Sequence, residues 1–288
     1  MQEQKYILKD AKSFEPNHVF DCGQCFRWEK QRDGSYTGIF NNNVLNVNKI
    51  DNDIIFKGIC ENNIKEVCTE YFDLARNYED IKLELSKVDD NLKKSIDYGE
   101  GIRILNQDLW ETIISFIISA NNNIPRIKGI INRLSEKFGS KIEWDGDTYY
   151  TFPTVQQLAR ASVQDLRSLG LGFRDARVYE TTKMILNKEV DLDKMYEEDT
   201  NKAKESLLTL SGVGPKVADC ILLFSKLKRF DVFPIDVWVR RVMNELYIKN
   251  EDETKVSKKE IEKLAKEKYG NLEGIAQQYL FYWKRETA

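Results

Sequence analysis

The sequence predicts an α+β protein in two parts, a small antiparallel sheet followed by a helical domain. Three observations predict it. First, short β-rich runs at 35–40, 43–49 and 53–57 are separated by turn formers: Asp33-Gly34, the Asn41-Asn42-Asn43 run and Asp51-Asn52. Second, apolar residues recur at helical spacing in 64–74 and 81–96. Third, from about Gly99 onward the chain alternates between helix-periodic stretches and turns. These begin near 107, 125, 155, 174, 202, 215, 237, 258 and 272, and Thr154 with Gln157 forms a capping box for the third. The expected division is an N-terminal α+β domain over 1–98 and a helical domain over 99–288, with no repeat or low-complexity linker between them.

The composition narrows the function classes. With 41% hydrophobic and 32% charged residues, 288 residues suffice for a sizeable core. A net charge of −3 argues against a general nucleic-acid coat, so any such binding must come from a local patch. Between Lys216 and Arg241 six Lys/Arg stand against three Asp, a modest basic surface. The five cysteines, Cys22, Cys25, Cys60, Cys68 and Cys220, are odd in number and no apolar leader opens the chain. Free thiols in a reducing cytoplasm are the expectation. No apolar run approaches membrane-spanning length. Cys22-Gly-Gln-Cys25 has no second pair at zinc spacing, and His18 is the one histidine, which excludes a His-based metal centre.

The most informative stretch is 207–242, LLTLSGVGPKVADCILLFSKLKRFDVFPIDVWVRRV. It reads as helix, glycine turn, helix, connector, helix. Gly212 and Gly214 around Val213 permit a sharp turn and close approach of a ligand to the backbone. Pro215 suits the first position of the next helix. Amides of such a turn, followed by a helix N-terminus, favour an anion such as phosphate. Lys216 sits on that first turn, where the positive helix end and burial would both press its pKa down and favour a neutral amine nucleophile. Asp236, after Pro234-Ile235, stands where a helix N-cap belongs. Each feature alone has an ordinary reading: a solvated lysine, a simple turn, a simple cap.

Taken together, LSGVGPKVADC and FPIDVWVRR resemble the helix-hairpin-helix glycosylase motif. Four further stretches resemble one branch of that superfamily, the 8-oxoguanine DNA glycosylases: FDCGQCFRWEK (20–30), SANNNIPRIKGII (119–131), LGLGFRDARVY (169–179) and GIAQQYLFYWK (274–284). All lie in the family's order, so the resemblance covers nearly the whole chain. It implies a TBP-like antiparallel-sheet domain followed by an all-α HhH-GPD domain, duplex DNA containing 8-oxoguanine as substrate, a monomer, no cofactor and no membrane partner. No four-cysteine cluster follows the motif, so the iron–sulfur site of some superfamily members is not expected.

The resemblance also implies roles. Lys216 is the nucleophile and Asp236 stabilises the sugar cation. In the base pocket the carbonyl of Gly23 accepts from N7–H, Gln277 bonds the base edge, and Phe281 and Cys220 contact its two faces. Extruding a nucleotide costs a few kcal/mol. Asn121 is expected to fill the gap and Phe173 to wedge beside it, with Arg126 and Arg174 facing the orphaned cytosine. Gly212, Val213 and Gly214 would hold a phosphate, and a structural ion on the hairpin carbonyls is compatible but not required. Trp238 departs from the His that many eukaryotic relatives carry, although its indole N–H could still donate to phosphate. Phe173, Phe281 and Cys220 could equally be core residues, and Arg126 a solvated helix charge. Two competing functions stay open: a glycosylase of the same superfamily for another lesion, and a non-catalytic hairpin module that grips DNA backbone.

Overall fold

The structure, a computed structural model, describes residues 2–287. Five strands form one antiparallel sheet: β1 (Glu3–Leu8), β2 (Trp28–Lys30), β3 (Tyr36–Phe40), β4 (Asn43–Ile50) and β5 (Asp53–Ile59), in the order β1-β5-β4-β3-β2. The three expected strands are its centre. The edge strands β1 and β2 carry weaker signals, because each is ordered by its neighbour. Asp51, with φ 54°, turns β4 tightly into β5. A short helix α1 (Pro16–Phe20) precedes β2. One face of the sheet buries an aromatic cluster around Trp28, which is 1% exposed, stacks on Phe20 at 4.1 Å and donates from Nε1 to Tyr71.

The helical part begins with α2 (Ile64–Tyr71), α3 (Tyr78–Leu85) and α4 (Asp90–Tyr98). The periodic run 81–96 is thus two helices, because Asp89 caps α4 by accepting from the Leu92 amide and breaks the run. Then come α5 (Leu109–Ser119) and α6 (Ile124–Phe138), followed by α7 (Val155–Leu158), α8 (Val163–Ser168), α9 (Asp175–Leu186) and α10 (Thr200–Leu208). The Thr154–Gln157 capping box forms as expected, but a second box, Ser162 with Asp165, starts α8 and splits the single helix expected there. The motif helices are α11 (Pro215–Phe224) and α12 (Val237–Met243), and α13 (Lys258–Tyr269) and α14 (Glu273–Thr287) close the chain. After α12 the chain widens into a π-helical turn, Asn244–Ile248, where an unbroken helix was expected.

The expectation that only helices follow Gly99 is wrong in one place. Strands β6 (Lys141–Trp144) and β7 (Asp147–Tyr150) form a hairpin around Asp145-Gly146, both at positive φ. That Asp-Gly pair is a strong hairpin signal in its own right. The hairpin covers the second face of the large sheet: Ile142 and Trp144 pack on Val44 and Ile59, and the Trp144 indole donates to Glu3 at 3.0 Å.

Two large cores interleave along the chain. Trp28, Cys25 and Phe20 belong to the sheet core, whereas Cys22 and Phe26 from the same segment join the helical core. Leu85, Leu92 and Ile96 also pack in the helical core, so burial does not divide at the 98/99 boundary read from periodicity. No described helix is long and apolar enough to cross a membrane.

The β2–β3 pairing sets Trp28 opposite Gly38, where an added Cβ would come within 2.2 Å of the indole. Gly38→Ala is therefore expected to destabilise the protein by ~1–3 kcal/mol, the usual range for overpacking. Trp28→Leu in the same chain should recover part of that loss. Thermal unfolding of the two single variants and the double variant measures the coupling.

Candidate active site and nucleic-acid interface

The motif turn is built by local rules. Gly212 has φ 85°, and a Cβ there would press on Arg177 and Ile117 at 3.0–3.2 Å. Gly214 caps α11 without a side chain, and Pro215 takes the first helical position. The Gly212 and Gly214 amides are without protein partners among the described residues, whereas the Val213 amide donates to the Leu210 carbonyl at 3.1 Å. Two of the three expected phosphate donors are therefore open.

Lys216 and Asp236 face the same cavity, of about 720 Å³, which Asn121, Trp238, Gly23 and Phe281 also line. A narrower recess of about 50 Å³ continues inward and is lined by Gly23, Cys220, Gln277 and Phe281, again with Lys216 and Asp236.

Asp236 caps α12, its carboxylate accepting from the Val239 amide at 2.8 Å. That bond fixes the carboxylate beside the cavity and leaves its remaining lone pairs free. Lys216 is half-buried and lies 5.8 Å from the centre of the Phe116 ring. The expected depression of its pKa does not occur. The neighbouring Cys220 sulfur and then the Asp236 carboxylate hold the ammonium above its usual range, against the opposing effect of burial. Burial in turn pushes the Cys220 thiol up to about 11, with Lys216 opposing. At neutral pH the pair is accordingly thiol and ammonium.

The turn carrying Gly23 is held more firmly than the sequence suggested. Gly23 has φ 87°. The Asp21 carbonyl accepts from Arg285, the Cys22 carbonyl from Gln278 at 2.6 Å, and the Gln24 carbonyl from Gln107 at 2.7 Å. Gln24 itself is fully buried. Its amide donates to Val19 and Arg103 carbonyls at 2.9 and 2.7 Å, and its oxygen accepts from the Leu105 amide at 2.9 Å. Among carbonyls 21–24, only that of Gly23 has no partner among the described residues. In the recess, Gln277 is 5% exposed and its side-chain oxygen is buried without a partner. Gln24, Gln107, Gln278 and Arg285 were missed as site residues. An uncharged amide in a polar run and an arginine near a chain end carry no pattern of their own.

Of the residues expected to face DNA, Asn121 and Trp238 line the cavity, whereas Phe173, Arg126 and Arg174 do not. Asn121, in the left-handed region at φ 51°, is exposed beside the cavity, a conformation that asparagine tolerates well. Phe173 is 55% exposed, so it is no core residue, and it lies 4.2 Å from the Arg174 guanidinium. Arg174 is 2% exposed, and its N–H groups donate to the carbonyls of Ala120, Asn121 and Leu171, among them Asn121 at 2.7 Å. In this state Arg174 shapes the Asn121 turn, and it faces cytosine only if it releases some of those bonds. Arg126 is exposed, with one long contact of 3.4 Å to the Gly170 carbonyl. The Trp238 indole N–H is buried and unpartnered at the cavity wall.

Comparison with known proteins agrees with this geometry. The family model for the 8-oxoguanine DNA glycosylase N-terminal domain matches residues 6–113, and that for HhH-GPD superfamily base excision DNA repair proteins matches 114–269. A probable N-glycosylase/DNA lyase from Methanothermobacter thermautotrophicus is 34% identical over 244 residues, covering 78% of this chain and 76% of the relative. The Clostridium acetobutylicum 8-oxoguanine glycosylase/lyase in its apo-form is 46% identical, with 98% of each chain covered and a TM-score of 0.91. Its complex with double-stranded DNA containing cytosine opposite 8-oxoG matches all of this chain and 98% of that chain, at 46% identity and a TM-score of 0.92. A 3-methyladenine glycosylase from Archaeoglobus fulgidus shares the fold at 21% identity. With both halves matched in order and the lysine, the aspartate and the base recess gathered on one cavity, the chain belongs to the 8-oxoguanine DNA glycosylase/AP lyase branch of the HhH-GPD superfamily.

Proposed function

We propose that this chain excises 8-oxoguanine from duplex DNA and then nicks the strand, with Lys216 as nucleophile. The observation that carries this reading is the convergence of Lys216, Asp236 and the free Gly23 carbonyl on one recess. 8-Oxoguanine differs from guanine by a proton on N7, and a fixed backbone acceptor distinguishes the two because it has no alternative protonation state. The neutral Lys216 amine attacks C1′, and the C1′–N9 bond breaks with its electron pair leaving on the base. The aminal proton is lost and the sugar ring opens, giving an imine. That imine acidifies C2′–H, and its removal expels the 3′ phosphate by β-elimination. Asp236 stabilises the cationic sugar and holds Lys216 in reach. The open Gly212 and Gly214 amides and the Trp238 N–H supply phosphate donors.

An exposed Asn121 and Phe173 support their filling and wedging roles once the nucleotide leaves the stack. Arg126 is the freer of the two arginines and the better placed to donate to N3 and O2 of the orphaned cytosine. A non-catalytic grip on DNA backbone would require neither the buried Lys216–Cys220 pair nor an unpartnered Gln277 oxygen.

Lys216→Gln is expected to abolish base release and borohydride-trapped adduct while lesion binding survives. Single-turnover gels and filter binding read the two separately, and turnover near the wild-type rate would remove Lys216 as nucleophile.

The raised Lys216 pKa gives a signed pH profile. Protonation removes the nucleophile, so kcat/KM should climb about tenfold per pH unit through neutrality. It should not level off below the ordinary lysine range near ~10.4. A plateau starting near pH 8 would show that a different group limits the attack.

Excision is expected to be fastest opposite cytosine, with Arg126→Ala reducing that preference about tenfold, since a mispaired buried polar contact costs roughly 1–3 kcal/mol. Rates on duplexes with each of the four opposite bases decide this. A uniform loss of binding with reduced salt dependence would place Arg126 on a phosphate instead.

A further inference from the structure

Arg285 stands one helical turn beyond Phe281 on α14, outside every role assigned above. Its Nη2 donates to the Asp21 carbonyl and, at 2.8 Å, to Glu286, and its Nε also donates to Glu286 at 3.0 Å. These bonds fix the guanidinium plane. Its Nη1 is buried and has no partner. That nitrogen lies 3.4 Å from where a Cβ on Gly23 would stand, and the guanidinium carbon lies 5.4 Å from the centre of the Phe281 ring. Arg285 lines the cavity with both residues.

A buried N–H without an acceptor is costly, and more so when the group is charged. Here it sits beside Gly23, the residue that carries the one free carbonyl of the turn. The edge of 8-oxoguanine that meets the Gly23 carbonyl presents acceptor, donor, acceptor: O6, N7–H and O8. A wall complementary to it needs a donor next to its central acceptor, and the guanidinium supplies donors with no acceptor of its own.

We infer that Arg285 is a further specificity-determining residue, whose Nη1 donates to a carbonyl oxygen flanking N7–H of the extruded 8-oxopurine while Nη2 pins the turn that aims the Gly23 carbonyl. Guanine lacks the N7 proton and O8 but keeps O6, so the donor adds to the discrimination made by the acceptor where it meets O8. The inference rests on the proposed excision reaction.

The test compares wild type, Arg285→Leu, Arg285→Gln and Arg285→Lys on two duplexes with cytosine opposite the site, one carrying 8-oxoguanine and one a preformed abasic site. The abasic duplex undergoes β-elimination with no base to read. The ratio of the 8-oxoguanine excision rate to the abasic-site cleavage rate should fall at least tenfold in the Leu variant, with partial recovery in the Lys variant. The Gln variant keeps an N–H and should fall between them, and far-UV circular dichroism identifies any variant that fails to fold. Parallel loss of both activities at a constant ratio would make Arg285 a structural residue only and overturn the proposal. A wild type that cleaves neither duplex would instead overturn the excision reading itself.

Discussion

The site depends on one constraint: the turn that carries the free Gly23 carbonyl must be held in place beside the recess. A backbone acceptor is selective only if its position is fixed, and a loop on its own would not fix it. Here the neighbouring carbonyls are each held by a side chain from another element: Arg285 and Gln278 from α14, and Gln107 from just before α5. The buried Gln24 side chain bonds three backbone groups more and anchors the turn from below. The left-handed Gly23 lets the chain reverse between these anchors. The segment before β2 thereby delivers the carbonyl proposed to read the lesion, and the last helix of the chain holds its turn in place.

The same helix carries Gln277, Gln278, Phe281 and Arg285, spaced so that one side reaches the recess and another reaches the turn. Helix α14 therefore joins recognition to the frame that supports it. Packing of α4 against α14, through Ile96 and Leu92 in the helical core, fixes that helix from the N-terminal side. The interleaved cores suit a pocket assembled between the parts of the chain, since relative motion of the two would open the recess.

The catalytic pair has a different logic. Asp236 is placed by a helix cap, a local device worth about 1 kcal/mol that also aims a carboxylate at the sugar. Lys216 begins as an ammonium next to a thiol and a carboxylate, so a proton must leave before attack.

The sequence by itself determined whatever rests on local rules or ordered motifs. The central strands, the glycine turn with Pro215 at a helix start, the Asp236 cap and the Thr154 capping box all follow from neighbours within a few residues. The ordered motifs named the family, and the recess gathers the four base-pocket residues named from that resemblance. The Asp145-Gly146 hairpin was legible too, but the surrounding helices masked its two short strands. Only the tertiary structure decided the rest. The Lys216 pKa is raised because Cys220 and Asp236 meet it in space and outweigh burial. Arg174 turned inward because the carbonyls of Ala120 and Asn121 lie within its reach across 54 and 53 residues. Gln278 and Arg285 became site residues because the turn at 21–24 and the last helix touch, a contact across more than 250 positions that no local pattern encodes.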